Sequence, residues 1–392
     1  MGFLRGSVSF ERYRVTEDPT GVFGEEHIEN LAKYRIGKSN KNLHEEPATG
    51  FTGGAHLLDT DFDAAKNIIG DALHFGIRVD SCQIPGPIKR AWTAMELSGI
   101  MKDNSGGRPS KKQREEANEA VEARCAAEAG KGNYLRMSEI AILWDSISET
   151  MFLGSTSEKA NDHCLSLLNQ AFGLEFRRVT SGSLAVEVAD ASDRLAEMYD
   201  TTATAFHPDE TNSVVWWNGM KDNYDFLGNE FLLWLWWNWE QKSNVIKLSD
   251  GSEVSGMFAR TLALDCPIGE HGKESISADS PVALPEAILA IEMGKLPRKA
   301  GLTLVRNNEQ FDFTLNAETF ALGSAKISQI GKDDAIRDSI DRIESIRELC
   351  ETFDLLFENF CEKRIGKQWG GEKNKILQWL RTNQQANSRK AA

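Results

Sequence analysis

Cysteine is scarce in this chain and never spaced for metal binding. The six residues (Cys82, Cys125, Cys164, Cys266, Cys350 and Cys361) are scattered, with no pair at CxxC spacing. That pattern excludes a zinc ribbon and makes a disulfide scaffold a poor fit. Histidine is equally thin, its seven residues forming no HxH or HExxH pattern. A Walker A loop is missing too: Gly154-Ser155-Thr156-Ser157-Glu158-Lys159 lacks the second glycine and the Lys-Ser/Thr ending. No GxSxG nucleophile elbow occurs. The longest apolar run, Phe231 to Trp237, is far short of the ~20 residues of a membrane helix. The opening Met1-Gly2-Phe3-Leu4-Arg5-Gly6 has no Ser or Thr at the sixth position for myristoylation. The expectation is a soluble cytoplasmic protein without metal or cofactor.

Charge of one sign is in excess, 59 acidic against 45 basic residues, for a net charge of −14. An indiscriminate polyanion binder is therefore disfavoured, although a local basic surface is not. The 41% apolar content and ten tryptophans over 392 residues are too high for disorder and suffice for one large core or a few smaller ones.

Along the chain, residues 3–14 alternate as a strand, 24–36 have helical spacing, Thr52-Gly53-Gly54 marks a turn and 71–80 reads as strand. Strands are expected at Glu139–Asp145 and Thr150–Leu153, then a helix from Ser157 to about Ala171. Patterns at 255–265 and 301–327 are strand-like, bracket a helix at Leu284–Met293, and turn at Asn307-Asn308. Ile336, Ile340, Ile343, Ile346, Leu349, Phe353, Leu356 and Phe360 predict a long helix over about 333–363. From Lys363 to the end the chain is basic, with Lys373, Lys375, Arg381, Arg389 and Lys390 against the single acid Glu372. The predicted fold class is α+β, with antiparallel sheets, packed helices, a projecting helical arm and a long C-terminal helix. We divide it into an α+β unit at 1–87, an arm at 88–136, an α+β body at 137–330 with a Trp-rich insertion near 200–280, and the C-terminal helix with its basic tail at 331–392.

The arm concentrates the chemistry. Lys102 to Arg114 holds five basic residues and one acid, whereas Glu115 to Glu128 holds five acids and one base, Arg124. In one reading Lys89, Arg90, Lys102, Arg108, Lys111, Lys112 and Arg114 neutralise phosphates and release counterions. In the other, a solvated helical hairpin pairs its basic half with its acidic half, and alternating charge blocks favour that outcome. The segment Phe231 to Trp239, with Trp216-Trp217, could stack bases, but it has no interleaved Lys or Arg. A buried helix, apolar all round, fits it better. Asp209, Glu240 and Lys242 could imitate a Mg²⁺-dependent PD-ExK nuclease, although Glu240 follows a helical segment instead of lying on a strand. A third possibility is an acidic protein-interaction module without DNA affinity.

Several motifs, in the arm and beyond it, also resemble the bacterial recombination-associated protein RdgC family. Ile84-Pro85-Gly86-Pro87-Ile88-Lys89-Arg90-Ala91 is similar to that family's Leu-Pro-x-Pro-x-Lys-x-Ala stretch. Tyr134-Leu135-Arg136-Met137-Ser138, followed by Leu143-Trp144-Asp145, resembles its aromatic-x-Arg-x-Ser and Trp-x-Asp stretch. Ile291-Glu292-Met293-Gly294-Lys295 resembles its Ile-Glu-x-Gly-Lys helix. The resemblance implies a ring-shaped homodimer that encircles double-stranded DNA without sequence preference, associates with the nucleoid and, through the DNA, restrains RecA-driven recombination. It gives Tyr134 a part in ring closure and Arg136 a part in DNA contact. Asp279-Ser280 stands where that family has a DNA-contacting Lys-Gln pair, which shifts the expected contact onto the arm.

Overall fold

Alternating apolar residues become strands, and the strand pairings whose register is described are antiparallel. The computed structural model describes residues 2–16, 21–37, 43, 46–102, 108–204, 206, 223–265, 272–327 and 335–391; the side chains of 102, 335, 336 and 383–391 are outside the description. In chain order the first elements are β1 (Val8–Val15), α1 (Glu25–Lys33), β2 (Ala48–Thr52), α2 (Ala64–Asn67), β3 (Ile68–Ile69) and β4 (Ala72–Cys82). Then come α3 (Gly86–Lys102), α4 (Lys111–Gly130), β5 (Leu135–Asp145), β6 (Thr150–Leu153), α5 (Glu158–Phe172), β7 (Phe176–Arg178), α6 (Ser181–Ala191) and α7 (Leu195–Tyr199). The remainder is α8 (Phe226–Gln241), β8 (Val245–Lys247), β9 (Glu253–Asp265), β10 (Lys273–Ala278), α9 (Pro285–Glu292), β11 (Leu296–Arg306), β12 (Glu309–Asn316), β13 (Leu322–Lys326), α10 (Ala335–Arg364) and α11 (Trp369–Ala391). The class is α+β.

Two compact units form, neither from a continuous stretch of chain: 1–20 with 143–157 and 175–392, and 21–142 with 158–174. In the first, the strand order is β10-β9-β11-β12-β13-β1-β6, with β8 on β9 and β7 on β1. Asn307 and Asn308, at φ 52° and 66°, make the two-residue link between β11 and β12 that their side chains tolerate. Helix α8 has thirteen consecutive buried residues, Phe226 to Asn238, so it must be covered on all sides. Phe231 sits 5.2 Å from Phe357, and Phe320 lies 4.8 Å from Phe353 and 4.7 Å from Phe357, all edge-to-face.

Helix α10 is about 45 Å long at ~1.5 Å per residue, and its buried stripe is Ile343, Ile346, Leu349, Phe353, Leu356, Phe357 and Phe360. Ile340, expected on that stripe, is 37% exposed at its edge, and the side chain of Ile336 is outside the description. Arginine forks tie the helix down: Arg12 grips Asp354 with two 2.8 Å bonds, and Arg342 donates to the carbonyls of Phe3 and Gly6. Arg364 meets Glu230 of α8 in a buried pair. The basic tail is helix α11, because Ile376, Trp379 and Leu380 recur at helical spacing and are buried.

In the second unit β2 pairs β4 from Ala48–Asp80 to Thr52–Gly76. Phe51 meets Phe75 edge-on at 5.4 Å and Phe172 of α5 at 6.0 Å. Asn67 is fully buried and satisfied, donating to the carbonyls of Gly53 and His74, so its desolvation is compensated.

Two glycines in helices have opposite fates on gaining a methyl group. A Cβ at Gly228 in α8 would stand 1.6 Å from the Ala317 carbonyl oxygen, whereas one at Gly99 in α3 would meet nothing within 4 Å. Alanine is about 1 kcal/mol the better helix former, so Gly99→Ala should stabilise by roughly that amount. Gly228→Ala should instead destabilise by about 1–3 kcal/mol or more through overpacking. Urea unfolding of both variants checks the opposite signs.

Candidate nucleic-acid interface

The arm is a helical hairpin, α3 followed by α4, within the second unit. Pro85 starts it: its carbonyl accepts from the N–H groups of Ile88 and Lys89 at 2.9 and 3.2 Å. Pro87 therefore falls in the first turn, where a missing N–H removes no helical bond. Ser110 and Gln113 form a reciprocal cap on α4, with bonds of 3.3 and 2.9 Å. Along α4 only Ala117, Val121, Cys125 and Ala129 are buried, one stripe at four-residue spacing. Val121 and Cys125 pack with Ile84 and Trp92, and Cys82, Ile88 and Tyr134 flank the group. Burial raises the Cys125 thiol and desolvation raises that of Cys82, so neither is an activated nucleophile. A seam this narrow leaves most of both helices to solvent.

The predicted contact residues divide into two groups. At the base of the hairpin Lys89 bonds Glu122 of the facing helix at 3.3 Å, and Arg136 donates to Gln83 at 2.7 Å. Arg90 is exposed. Tyr134 lies here, half-buried, its ring 6.4 Å from Trp92 and edge-on to it. Its φ of +60° is a left-handed value that non-glycine residues seldom adopt. The guanidinium of Arg124 covers the other ring contact of Trp92, at 4.5 Å from the centroid; by composition Arg124 is only one base among acids.

At the other end, Arg108, Lys111, Lys112 and Arg114 are all exposed, with Lys111 and Lys112 at 93% and 85%. Residues 103–107 and the side chain of Lys102 lie outside the described residues. Lys111 faces Glu115 at 3.9 Å and Lys112 faces Glu116 at 3.8 Å. Those separations are at the limit of an ion pair, and Lys preceding Glu is the weaker order on a helix. The first turn of α4 contains no acid. Four cations thus sit at the positive end of a helix dipole, an arrangement the helix itself disfavours. The pairing of basic with acidic halves anticipated from composition occurs at the base, through Lys89 and Glu122, and only loosely at this end.

The other sequence candidates are placed differently. Glu240 ends α8 and accepts from two indole N–H groups, Trp236 at 2.5 Å and Trp379 at 3.2 Å. Lys242 pairs with Glu372 at 3.0 Å and lies over the Trp237 ring. Glu240 lies within a helix and Lys242 just past its end, neither on a strand, while Asp209 and Trp216-Trp217 are outside the described residues. Asp279 and Ser280 are exposed after β10, with no cation between them. Phe231 to Trp237 is buried in the core, which removes it as a base-stacking surface. Lys375 bonds Glu372, and the side chains of Arg389 and Lys390 are outside the description.

A cavity of about 910 Å³ in the first unit lies along α10. Glu344, Glu348, Glu351, Glu358 and Glu362 line it beside Arg12, Arg14 and Arg347. Those arginines are engaged: Arg12 by Asp354, Arg14 by Thr150 at 2.7 Å, and Arg347 by Asp145. Cys350 in its wall is pushed up to about 12 by burial. Among the described residues no group of three His, Cys, Asp or Glu side chains could hold a metal ion, and no helix is long and apolar enough to cross a membrane. Comparison with protein families finds no matching family model, and comparison with curated proteins finds no match.

Trp92 is the side chain on which the hairpin depends, since it touches both helices and Tyr134. Trp92→Ala should cost about 3–5 kcal/mol of local stability. Amide hydrogen exchange should show accelerated exchange across α3 and α4 with β2 and β4 unchanged; unchanged protection in the hairpin would contradict this role.

Proposed function

We propose that this chain is a non-catalytic protein that binds double-stranded DNA independently of sequence. The observation that carries the reading is the cluster Arg108, Lys111, Lys112 and Arg114: four exposed, weakly compensated cations at the positive end of α4. A local arrangement that opposes helix electrostatics is what a site built for an external anion requires. Phosphate is a suitable anion, and contacts to phosphate position a protein on a duplex without reading base edges. Arg90 and Arg136 extend the basic surface towards the base of the hairpin, where Lys89 contributes less because Glu122 already neutralises it.

The motif order that resembles the RdgC family supports the finer reading: a homodimer closed around the duplex, with Tyr134 in the closure, nucleoid association and modulation of RecA-dependent recombination through the DNA. An acidic interaction module draws support from the carboxylate-lined cavity along α10. It differs in predicting no DNA affinity.

Gel-shift titration at two salt concentrations separates these readings. The chain should bind duplex DNA with an affinity that falls steeply as salt rises. Replacing Arg108, Lys111, Lys112 and Arg114 by Ala should flatten the log–log salt slope by ~0.9 for each phosphate that the variant no longer neutralises, while Lys89→Ala changes little. Salt-insensitive binding, or an unchanged slope in the four-residue variant, would reject the arm as the interface. Sedimentation of Tyr134→Ala should show more monomer, and an unchanged dimer constant would remove Tyr134 from the closure.

A further inference from the structure

The face that α10 turns to the cavity along it reads Glu344, Glu348, Glu351, Leu355, Glu358 and Glu362. Steps of three and four residues keep these side chains on one side of the helix. From Glu344 to Glu362 the face runs for about 27 Å at ~1.5 Å per residue. Helix α6, which packs against α10, contributes Leu184, Val188 and Ala191, again at helical spacing. Leu184 is buried, but Val188 is half-buried and Ala191 exposed. Leu355 is half-buried on the α10 side, and Ile147, in the loop between β5 and β6, is 61% exposed. A groove between two helices therefore has apolar groups within reach on both walls and a row of carboxylates along one of them.

Charge decides what such a groove accepts. Seven carboxylates line it against three arginines, and those arginines are engaged. Glu344 is taken by Arg347, Glu351 by Arg306, Glu187 by Arg177 and Asp354 by Arg12. Among the described residues, Glu348, Glu358 and Glu362 have no cation within ion-pair distance. Glu348 accepts a bond from Asn307 at 3.3 Å and Glu358 one from Ser249 at 3.0 Å, both neutral donors. Glu358 and Glu362 stand four residues apart, a like-charge pair that a helix disfavours. The chain's own basic helices are poor occupants. The apolar residues of α4 (Ala117, Val121 and Cys125) and of α11 (Ile376, Trp379 and Leu380) are already buried.

We propose that this groove receives a basic amphipathic helix from a partner protein. Its apolar residues would lie against Val188, Ala191, Leu355 and Ile147, and its lysines or arginines would face Glu348, Glu358 and Glu362. Helices enter grooves in this way through anchors at i, i+3, i+4 and i+7. Carboxylates spaced by one helical turn match cations spaced likewise on the incoming helix. A polycation without apolar groups would leave Val188, Ala191 and Leu355 in water. The groove lies in the first unit and involves no residue of the basic hairpin, so its occupancy neither needs nor excludes DNA on the hairpin.

Fluorescence anisotropy of the full chain tests it, with a labelled leucine–lysine helical peptide of about 18 residues, long enough to span the groove. Its leucines occupy one face. One control is a scrambled peptide in which leucine and lysine no longer segregate, and the other carries glutamate in place of lysine. The segregated peptide should bind saturably and about tenfold or more tighter than the scrambled one, through the apolar contact. The glutamate version should not bind. Glu348→Gln, Glu358→Gln and Glu362→Gln combined should weaken binding about tenfold, the scale of two or three partly screened ion pairs, and reduce its salt dependence. Ala191→Trp fills the groove from an exposed position without changing its charge, and it should weaken binding too. Alanine at Arg108, Lys111, Lys112 and Arg114 should leave the peptide's affinity unchanged, which separates this groove from the hairpin. Absence of saturable binding, equal affinity for the scrambled peptide, indifference to either groove variant, or loss of the peptide in the hairpin variant overturns the proposal.

Discussion

Helix α8 can exist only if every side of it is covered, and the first unit is arranged to meet that demand. Its thirteen buried residues meet Phe320, Phe353, Phe357 and Phe360, which close around Phe231. Gly228 lets the helix backbone approach the Ala317 carbonyl. Burial of so much apolar surface is worth about 25 cal/mol per Å², and it carries polar passengers that need partners. Glu230 finds Arg364 and Thr204; Asn229 donates to the Pro297 carbonyl. Where α8 ends, the covering stops. Trp239 and Glu240 then form the wall of an open cavity instead of filling a core.

The second unit follows the opposite regime. Its hairpin is held by one stripe from α4 and, from α3, by Trp92 with Ile88 beside it, so little apolar surface opposes local opening. Such an element is suited to settle against a partner, because its own structure imposes few constraints on its outer surface. Its charges show the same division. Near the seam the cations are occupied by Glu122, Gln83 and the Trp92 ring; beyond it they face solvent. A chain acidic as a whole thereby presents a local cationic end, which is the scale on which phosphate contacts operate.

Short-range patterns were legible in the sequence where neighbours along the chain decide the outcome. The periodicity of α10, the alternation of β9 and β11, the Asn307-Asn308 turn and the two-helix arm all fall within that class. Helix α11 was not legible as such, because Ile376, Trp379 and Leu380 are sparse among charged residues and become meaningful only beside α8 and α9. The interleaving of the two units is equally invisible, since it depends on β1 pairing with β13 more than three hundred residues away. At the candidate interface the basic residues were readable, but their inequality was not. Whether Lys89 or Lys111 is compensated depends on the facing helix and on helix polarity. The stacking of Arg124 on Trp92 and the two indoles on Glu240 carried no sequence signal, for each joins residues that no local pattern connects.

An external polyanion bound as proposed lands on the cationic end of the hairpin. Hydrogen–deuterium exchange of the full chain with and without duplex DNA, at low salt, examines it most directly. Slower exchange is expected at the start of α4, from Arg108 to about Glu116, with the buried strands β9 and β11 unchanged. Protection confined to another surface, or no protection in the hairpin under conditions where DNA is bound, would contradict it.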